Sequence, residues 1–235
     1  MTYGLFITGT DTGVGKTEVA AAICALYTKY GVTVHPHKPV ESGCSDLNAP
    51  TDALTLKLAS ECRDSLDIIS PYRFIQPLSP ELAAKLSGKK LSLDMLINSC
   101  QLSTTHITDI NIVEGAGGIY SPIAEDALNI DLALSLQLPV VLVGEDRLGG
   151  VNQILLARRA ILESGLTLAA IVLNRSNGDK FGNIESLKRR VLEPLITINE
   201  VSISPNEGRN SEPWHYIREQ LTELSPLPFP LLDSH

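Results

Sequence analysis

FITGTDTGVGKTEVAAA, residues Phe6 to Ala22, carries an apolar run into a turn with three glycines, then Lys16 and Thr17, then a helix-forming segment. Strand, glycine loop and helix in that order build a cradle whose backbone N–H groups face a phosphate. In the ordinary phosphate loop, G-x-x-x-x-G-K-[ST], the first glycine would stand at position 10, which here is Thr10, and Gly9 comes one residue early. The segment Gly13-Val14-Gly15-Lys16-Thr17 keeps what the chemistry requires. Its glycines admit backbone turns that a Cβ would block, Lys16 supplies a cation for the β- and γ-phosphates, and the Thr17 hydroxyl suits Mg²⁺. A plain glycine turn capping a helix is the simpler account, but the Gly-Lys-Thr triplet between strand and helix favours a nucleotide.

Outward from this loop, apolar runs alternate with helical patterns. Strands are expected at Leu5–Thr8, Val32–Val34, Ile110–Val113, Val140–Val143, Leu168–Leu173 and Ile196–Ile203. Most are continuously apolar rather than alternating, which fits a sheet covered on both faces. Helices are expected at Lys16–Tyr30, Asp52–Ser60, Pro80–Leu86, Leu91–Thr104, Asn129–Leu136, Gly150–Ser164, Phe181–Leu192 and Glu212–Leu224. The pattern predicts a doubly wound α/β fold, a mostly parallel sheet with helices on both faces, in a single domain over residues 1–235. Its ligand should sit outside the carboxyl ends of the strands, where the loops Gly9–Gly15, Glu114–Gly118 and Gly144–Gly150 would gather. The proline-rich end from about residue 225 reads as extended.

Composition narrows the function classes. With 43% hydrophobic and 20% charged residues the chain has a soluble protein's make-up, and no apolar run approaches the roughly 18 residues of a membrane span. A net charge of −8 argues against a nucleic-acid partner, which requires a basic face, but not against small anions held by local groups. Cys24, Cys44, Cys62 and Cys100 are widely spaced without a C-x-x-C pair, so free thiols are expected, and with no basic leader at Met1 a cytoplasmic location.

Two acids stand out. Glu114, closing the strand Ile110–Val113 before Gly-Ala-Gly-Gly, is placed to hold a metal beside the phosphate loop. Asp52 follows Thr51 at a helix start, where stabilising the helix N-terminus and serving a metal are both sound local accounts. His35, His37, His106, His215 and His235 have no motif around them and are expected on the surface or in packing.

The fragments GTDTGVGKT, HKPVESG, TDALTLKLAS, SPYRFIQPLSPELAA, VEGAGGIYSPI and RLGGVNQ, in this order, closely resemble the dethiobiotin synthetase family, over residues 4 to about 174. In that family the longer glycine loop is normal. The resemblance implies a P-loop NTPase-like fold and a homodimer that converts 7,8-diaminononanoate and CO₂, with ATP and Mg²⁺, into the cyclic urea dethiobiotin. It implies that Thr12, Gly13, Val14, Gly15, Lys16 and Thr17 cradle ATP, with Asn174 and Pro205 at the adenine. Lys38 and Ser42 match residues facing the diamine and its carbamate, and Thr17, Asp52 and Glu114 the metal ligands. Leu148 to Asn152, with Gly149, Gly150 and Val151, match a helix start whose N–H groups hold the substrate carboxylate of the neighbouring subunit. The family often has an acid at position 13 and a histidine at position 81, where this chain has Gly13 and Glu81. Glu145 and Asp146 would repel a carboxylate at Gly149 unless they point away.

The chemistry asks for cations. An alkyl amine, with a pKa of about 10.4, attacks CO₂ only when neutral; Lys16 and Lys38 would favour that form and steady the anions that follow, and Thr12 of the phosphate loop is the third candidate catalytic residue. Two other readings share the nucleotide fold. A partitioning-type ATPase switch would want a lysine where Asp11 stands, and a cobyrinate-type amide synthase a longer chain.

Overall fold

The computed structural model describes residues 3–102, 109–201 and 212–222. Ten strands and nine helices occur among them. The strands are β1 (Gly4–Gly9), β2 (Thr33–His37), β3 (Val40–Ser42), β4 (Tyr72–Phe74), β5 (Asp109–Gly118), β6 (Pro122–Ala124), β7 (Ala127–Leu128), β8 (Val140–Glu145), β9 (Leu168–Ser176) and β10 (Leu195–Asn199). The helices are α1 (Lys16–Lys29), α2 (Thr51–Ser60), α3 (Leu66–Ile69), α4 (Pro80–Leu86), α5 (Leu93–Cys100), α6 (Asn129–Leu136), α7 (Gly150–Glu163), α8 (Asn183–Lys188) and α9 (Pro213–Thr222).

Six strands form one parallel sheet in the order β10-β9-β8-β1-β5-β2. From β1 the chain passes over to β2, returns to β5 beside β1, and then leaves for β8 on the other side. The strand order therefore reverses around β1, and the loops at its carboxyl end part to leave a crevice. Successive residues of each strand enter opposite cores: Phe6, Leu142 and Leu173 pack with Ile154 and Ile161 of α7, while Leu5, Ile7, Val141 and Val143 pack with α1 and with Trp214 and Ile217 of α9. Burial on both faces is why these strands read as unbroken apolar runs.

Several boundaries moved for local reasons. α5 starts at Leu93, not Leu91, because the Ser92 hydroxyl accepts from the Met95 N–H at 3.3 Å and so caps it. α8 starts at Asn183, behind Gly182 in the left-handed region. β2 runs on through Pro36 to His37; it is an edge strand, paired only with β5 among the described residues, where a missing N–H is tolerated. β3, β4 and the single turn α3 were not read from the sequence at all. Residues 202–203 of the expected last strand, 103–104 of the expected fourth helix, 223–224 of the expected last helix, His106, His235, Pro205 and the tail from 225 lie outside the described residues.

β5 is the larger correction. The sequence placed Glu114–Gly118 in a loop, yet the strand continues to Gly118. Its pairing with β1 jumps from Ile7↔Glu114 to Gly9↔Gly118, so β5 bulges there. Asn129, at the start of α6, takes over the lost ladder bonds. Its Oδ1 accepts from the Ala116 N–H at 3.1 Å, and its Nδ2 donates to the Ala116 and Gly118 carbonyls. A Cβ on Gly115 would meet that Oδ1 at 2.6 Å, which explains the glycine.

His37 packs in the interior as expected. Its Nε2 lies 3.3 Å from Asn111 Oδ1, and burial pushes its pKa from 6.5 down to about 4. The folded state thus binds fewer protons than the unfolded one between those values, so stability falls as pH drops from 6.5 to 4 and is complete above 6.5. The loss is about 3 kcal/mol at full extent. Urea midpoints measured from pH 7 to pH 4 should show this decline, and His37→Phe should remove about that much of it.

Candidate active site

The crevice is a cleft of about 720 Å³. Thr12, Gly13, Gly15, Lys16, Thr17, Lys38, Ser42, Asp52 and Glu114 line it together, though they come from four separate stretches of chain. The glycine loop turns out of β1 with Gly13 and Gly15 at φ +80° and +89°. Gly15 is the N-cap of α1, whose first N–H groups have no partner within the helix and so face the cleft end of the loop. Lys16 donates across this loop to the Asp11 carbonyl at 3.0 Å. Burial, then the neighbouring Lys38 charge, hold its pKa below the ordinary lysine value.

Lys38 follows β2 directly and is almost wholly enclosed. Its ammonium lies 2.6 Å from Glu114 Oε1 and 2.8 Å from Asp52 Oδ2, and donates to the Gly115 carbonyl at 3.2 Å. The Thr17 hydroxyl donates to the same Glu114 oxygen at 2.8 Å. Burial opposes the Lys38 charge, but the two carboxylates outweigh it and raise its pKa. Burial likewise opposes the Asp52 charge; Lys38 and then a Thr17 hydrogen bond hold that carboxyl below the usual range. Glu114 goes the other way, raised by burial with Asp52 adding to it against Lys38.

Asp52 lies in the first turn of α2, where its charge also suits the helix dipole. Its side chain reaches Lys38, and the helix start is capped from elsewhere: Glu41 of β3 accepts the N–H groups of Asp52 and Ala53, both at 3.1 Å. The donor set at this corner is two carboxylates and one hydroxyl, hard oxygens of the kind that suit a small divalent cation. Glu114 Oε2 is buried without a hydrogen-bond partner among the described residues, so the set has a donor to spare. No group of three or more His, Cys, Asp or Glu gathers as a metal site among the described residues.

Other expected residues lie around rather than in the cleft. Val14 is buried in the α1-side core. Asn174, buried at the end of β9, donates its amide to the Val14 carbonyl at 3.0 Å, and a Cβ on Gly15 would strike that amide, so Asn174 braces the loop from beneath. Gly149 (φ +85°) and Gly150 open α7, with Val151 and Asn152 in its first turn; none of these lines the cleft. Glu145 and Asp146 stay near that helix start but their charges are engaged: Asp146 accepts from Ser176 at 2.6 Å and Asn183 at 2.7 Å, and Glu145 pairs with Arg175 and Arg147. Ser42, which does line the cleft, donates to the Leu78 carbonyl at 2.7 Å.

Three contributors escaped sequence reasoning. Glu41 and Asn129 act through backbone groups far along the chain and leave no local signature. Arg175 lines the cleft with φ +56° and donates to the Gly13 carbonyl at 2.9 Å. Its place one residue after Asn174 was the only available cue.

The sequence profile of a family described as AAA domain matches residues 3–206. The chain is 42% identical to an ATP-dependent dethiobiotin synthetase of Anaeromyxobacter sp. (strain Fw109-5), over 74% of this chain and 77% of that one. It is 40% identical to an enzyme of the same name from Ruthia magnifica subsp. Calyptogena magnifica, over 88% of this chain and 95% of that one. Among solved structures, a ParA family ATPase from Chlorobium tepidum TLS superposes with a TM-score of 0.53 at 14% identity, covering 86% of each chain. That likeness is one of fold alone.

Proposed function

This chain belongs to the ATP-dependent dethiobiotin synthetase family, and from that premise we propose how its cleft carries out the reaction. It is a ligase of biotin biosynthesis that forms dethiobiotin at the expense of ATP. Its substrates are read as 7,8-diaminononanoate and CO₂, joined by a homodimer in the cytoplasm. Four free cysteines, three of them buried, fit a reducing compartment.

The observation that carries the mechanism is Lys38 held between Asp52 and Glu114, with Thr17 on the same Glu114 oxygen. Thr17, Asp52 and Glu114 would hold Mg²⁺, which when bound neutralises the β- and γ-phosphate charge. The glycine-loop N–H groups and Lys16 orient the triphosphate. Beside the two lysine ammoniums an amine of the substrate loses its proton more readily, and its attack on CO₂ gives a carbamate whose negative charge Lys38 stabilises. The carbamate oxygen attacks the γ-phosphorus, ADP leaves, and a carbamic–phosphoric anhydride results. The second amine then attacks the carbonyl carbon, phosphate leaves and the amine proton departs, closing the ring. Holding both amines in one bound chain is the source of that step's speed.

The α7 start, being outside the cleft, fits a carboxylate site that serves the neighbouring subunit. Esterifying the diamine's carboxylate should raise KM by roughly tenfold or more while kcat is retained, since the helix N-terminus acts on a charge remote from the reacting atoms. An unchanged KM removes Gly149 and Gly150 from the site.

Phosphate release from MgATP and bicarbonate, with and without 7,8-diaminononanoate, tests the whole reading. Diamine-dependent release, with a product heavier by one carbonyl and lighter by two hydrogens, is the expected result. Release indifferent to the diamine, with no new product, overturns it.

A further inference from the structure

Glu41 sits in β3 between Lys38 and Ser42, on the cleft wall and only 4% exposed. Its two carboxylate oxygens each accept one N–H of the first turn of α2, from Asp52 and from Ala53. Those N–H groups have no acceptor inside the helix, and Pro50, at the N-cap, supplies none from its side chain. A carboxylate is favoured at that end of a helix by the aligned peptide dipoles. Burial and the nearby Asp52 nevertheless push the Glu41 carboxyl above its ordinary value, with the two N–H bonds and Lys38 acting against them. The consequence lies one residue away. With the first N–H groups of the helix taken by a strand residue, the Asp52 side chain in that first turn stands 2.8 Å from Lys38.

We propose that Glu41 is a positioning residue for the metal-side acids: by clamping the first turn of α2 it fixes the Asp52 carboxylate at the point where it shares Lys38 with Glu114. This rests on the reading of Thr17, Asp52 and Glu114 as the Mg²⁺ ligands. Glu41 does not itself touch the reacting atoms. Its effect travels through the two backbone N–H groups of the first turn of α2, so it should act on the metal and leave the phosphate loop alone.

The test is Glu41→Gln, which keeps the shape but sets an amide N–H₂ against one of the helix N–H groups. Mn²⁺ affinity of the ADP complex, read from free Mn²⁺ by electron paramagnetic resonance, should weaken roughly tenfold, as removal of an orienting partner does elsewhere. Binding of ADP in the absence of divalent metal should stay within about twofold, and the half-saturating Mg²⁺ for turnover should rise without a matching rise in the diamine KM. Asp52→Asn is the control for the underlying reading. If Asp52→Asn weakens Mn²⁺ binding and a folded Glu41→Gln does not, the proposal is wrong while the site stands. If Asp52→Asn has no effect on Mn²⁺, the metal reading fails and the proposal with it. Equal loss of metal affinity and metal-free ADP affinity also overturns it, since that is general disruption of the cleft. Should Glu41→Gln not fold, Glu41→Asp, which keeps the charge but withdraws it by one methylene, must show the same metal-selective loss.

Discussion

Lys38→Leu is expected to abolish dethiobiotin formation, to leave nucleotide binding intact, and to destabilise the protein in a pH-dependent way. The first effect follows from the proposed role of the ammonium at the carbamate. Lys16, the neighbouring lysine of the cleft, is engaged across the glycine loop with the Asp11 carbonyl. The second follows from the phosphate loop, whose backbone does not depend on Lys38. The third comes from what is left behind. The Glu114 side chain has no exposed surface, and its Oε1 is 2.6 Å from the ammonium that the substitution deletes. Removing one member of a buried pair costs about 3–5 kcal/mol, because the other charge stays desolvated. Glu114, already raised by burial, would escape that cost by taking a proton. The variant should therefore recover stability relative to wild type as pH is lowered towards the ordinary carboxylate range. Urea unfolding across that range, with ADP binding by calorimetry and turnover by product mass, checks all three. Turnover within a few-fold of normal would sink the assignment of Lys38.

Lys16→Gln should show the opposite division. Turnover with ATP should fall roughly 10²–10³-fold, the scale on which a single preorganised charge donor supports a developing anion. Stability should hardly change. Lys16 makes one hydrogen bond to a loop carbonyl, and burial and Lys38 disfavour its charge against the attraction of Glu114, Asp52 and Asp11, so the gains and losses on removing it largely offset. Melting temperature and the kcat and KM for ATP, measured side by side, separate the two lysines. A Lys16→Gln enzyme with ordinary ATP kinetics would mean that the loop binds its nucleotide without the lysine. A large drop in melting temperature would mean that Lys16 is a structural residue.

How much of this could be read from the sequence follows from the range of each interaction. The glycine loop was legible because strand, turn, Lys16 and Thr17 are neighbours in the chain, and their geometry is set by local backbone preferences. The doubly wound fold was legible because burial on both faces leaves long apolar runs with helical patterns between them. Glu114 was found as an acid beside glycines, although it was placed at a strand end; the strand in fact continues through a bulge that Asn129 maintains. Local sequence left Asp52 between two accounts and only the family resemblance favoured the metal; Glu41, which takes the first N–H groups of α2, lies 11 positions upstream on another element.

The sequence by itself determined the fold class, the phosphate-binding loop and the identities of the charged groups, since these depend on periodicity and on residues adjacent in the chain. Only the tertiary structure decided how those charges share one another. Lys38 between Asp52 and Glu114, Glu41 beneath α2, Asn174 beneath the loop and Arg175 at its rim are contacts across strands that the sheet order alone brings together. Charges at such contacts act within a few ångströms and in low dielectric, so their pairing is fixed by packing in three dimensions rather than by spacing along the chain.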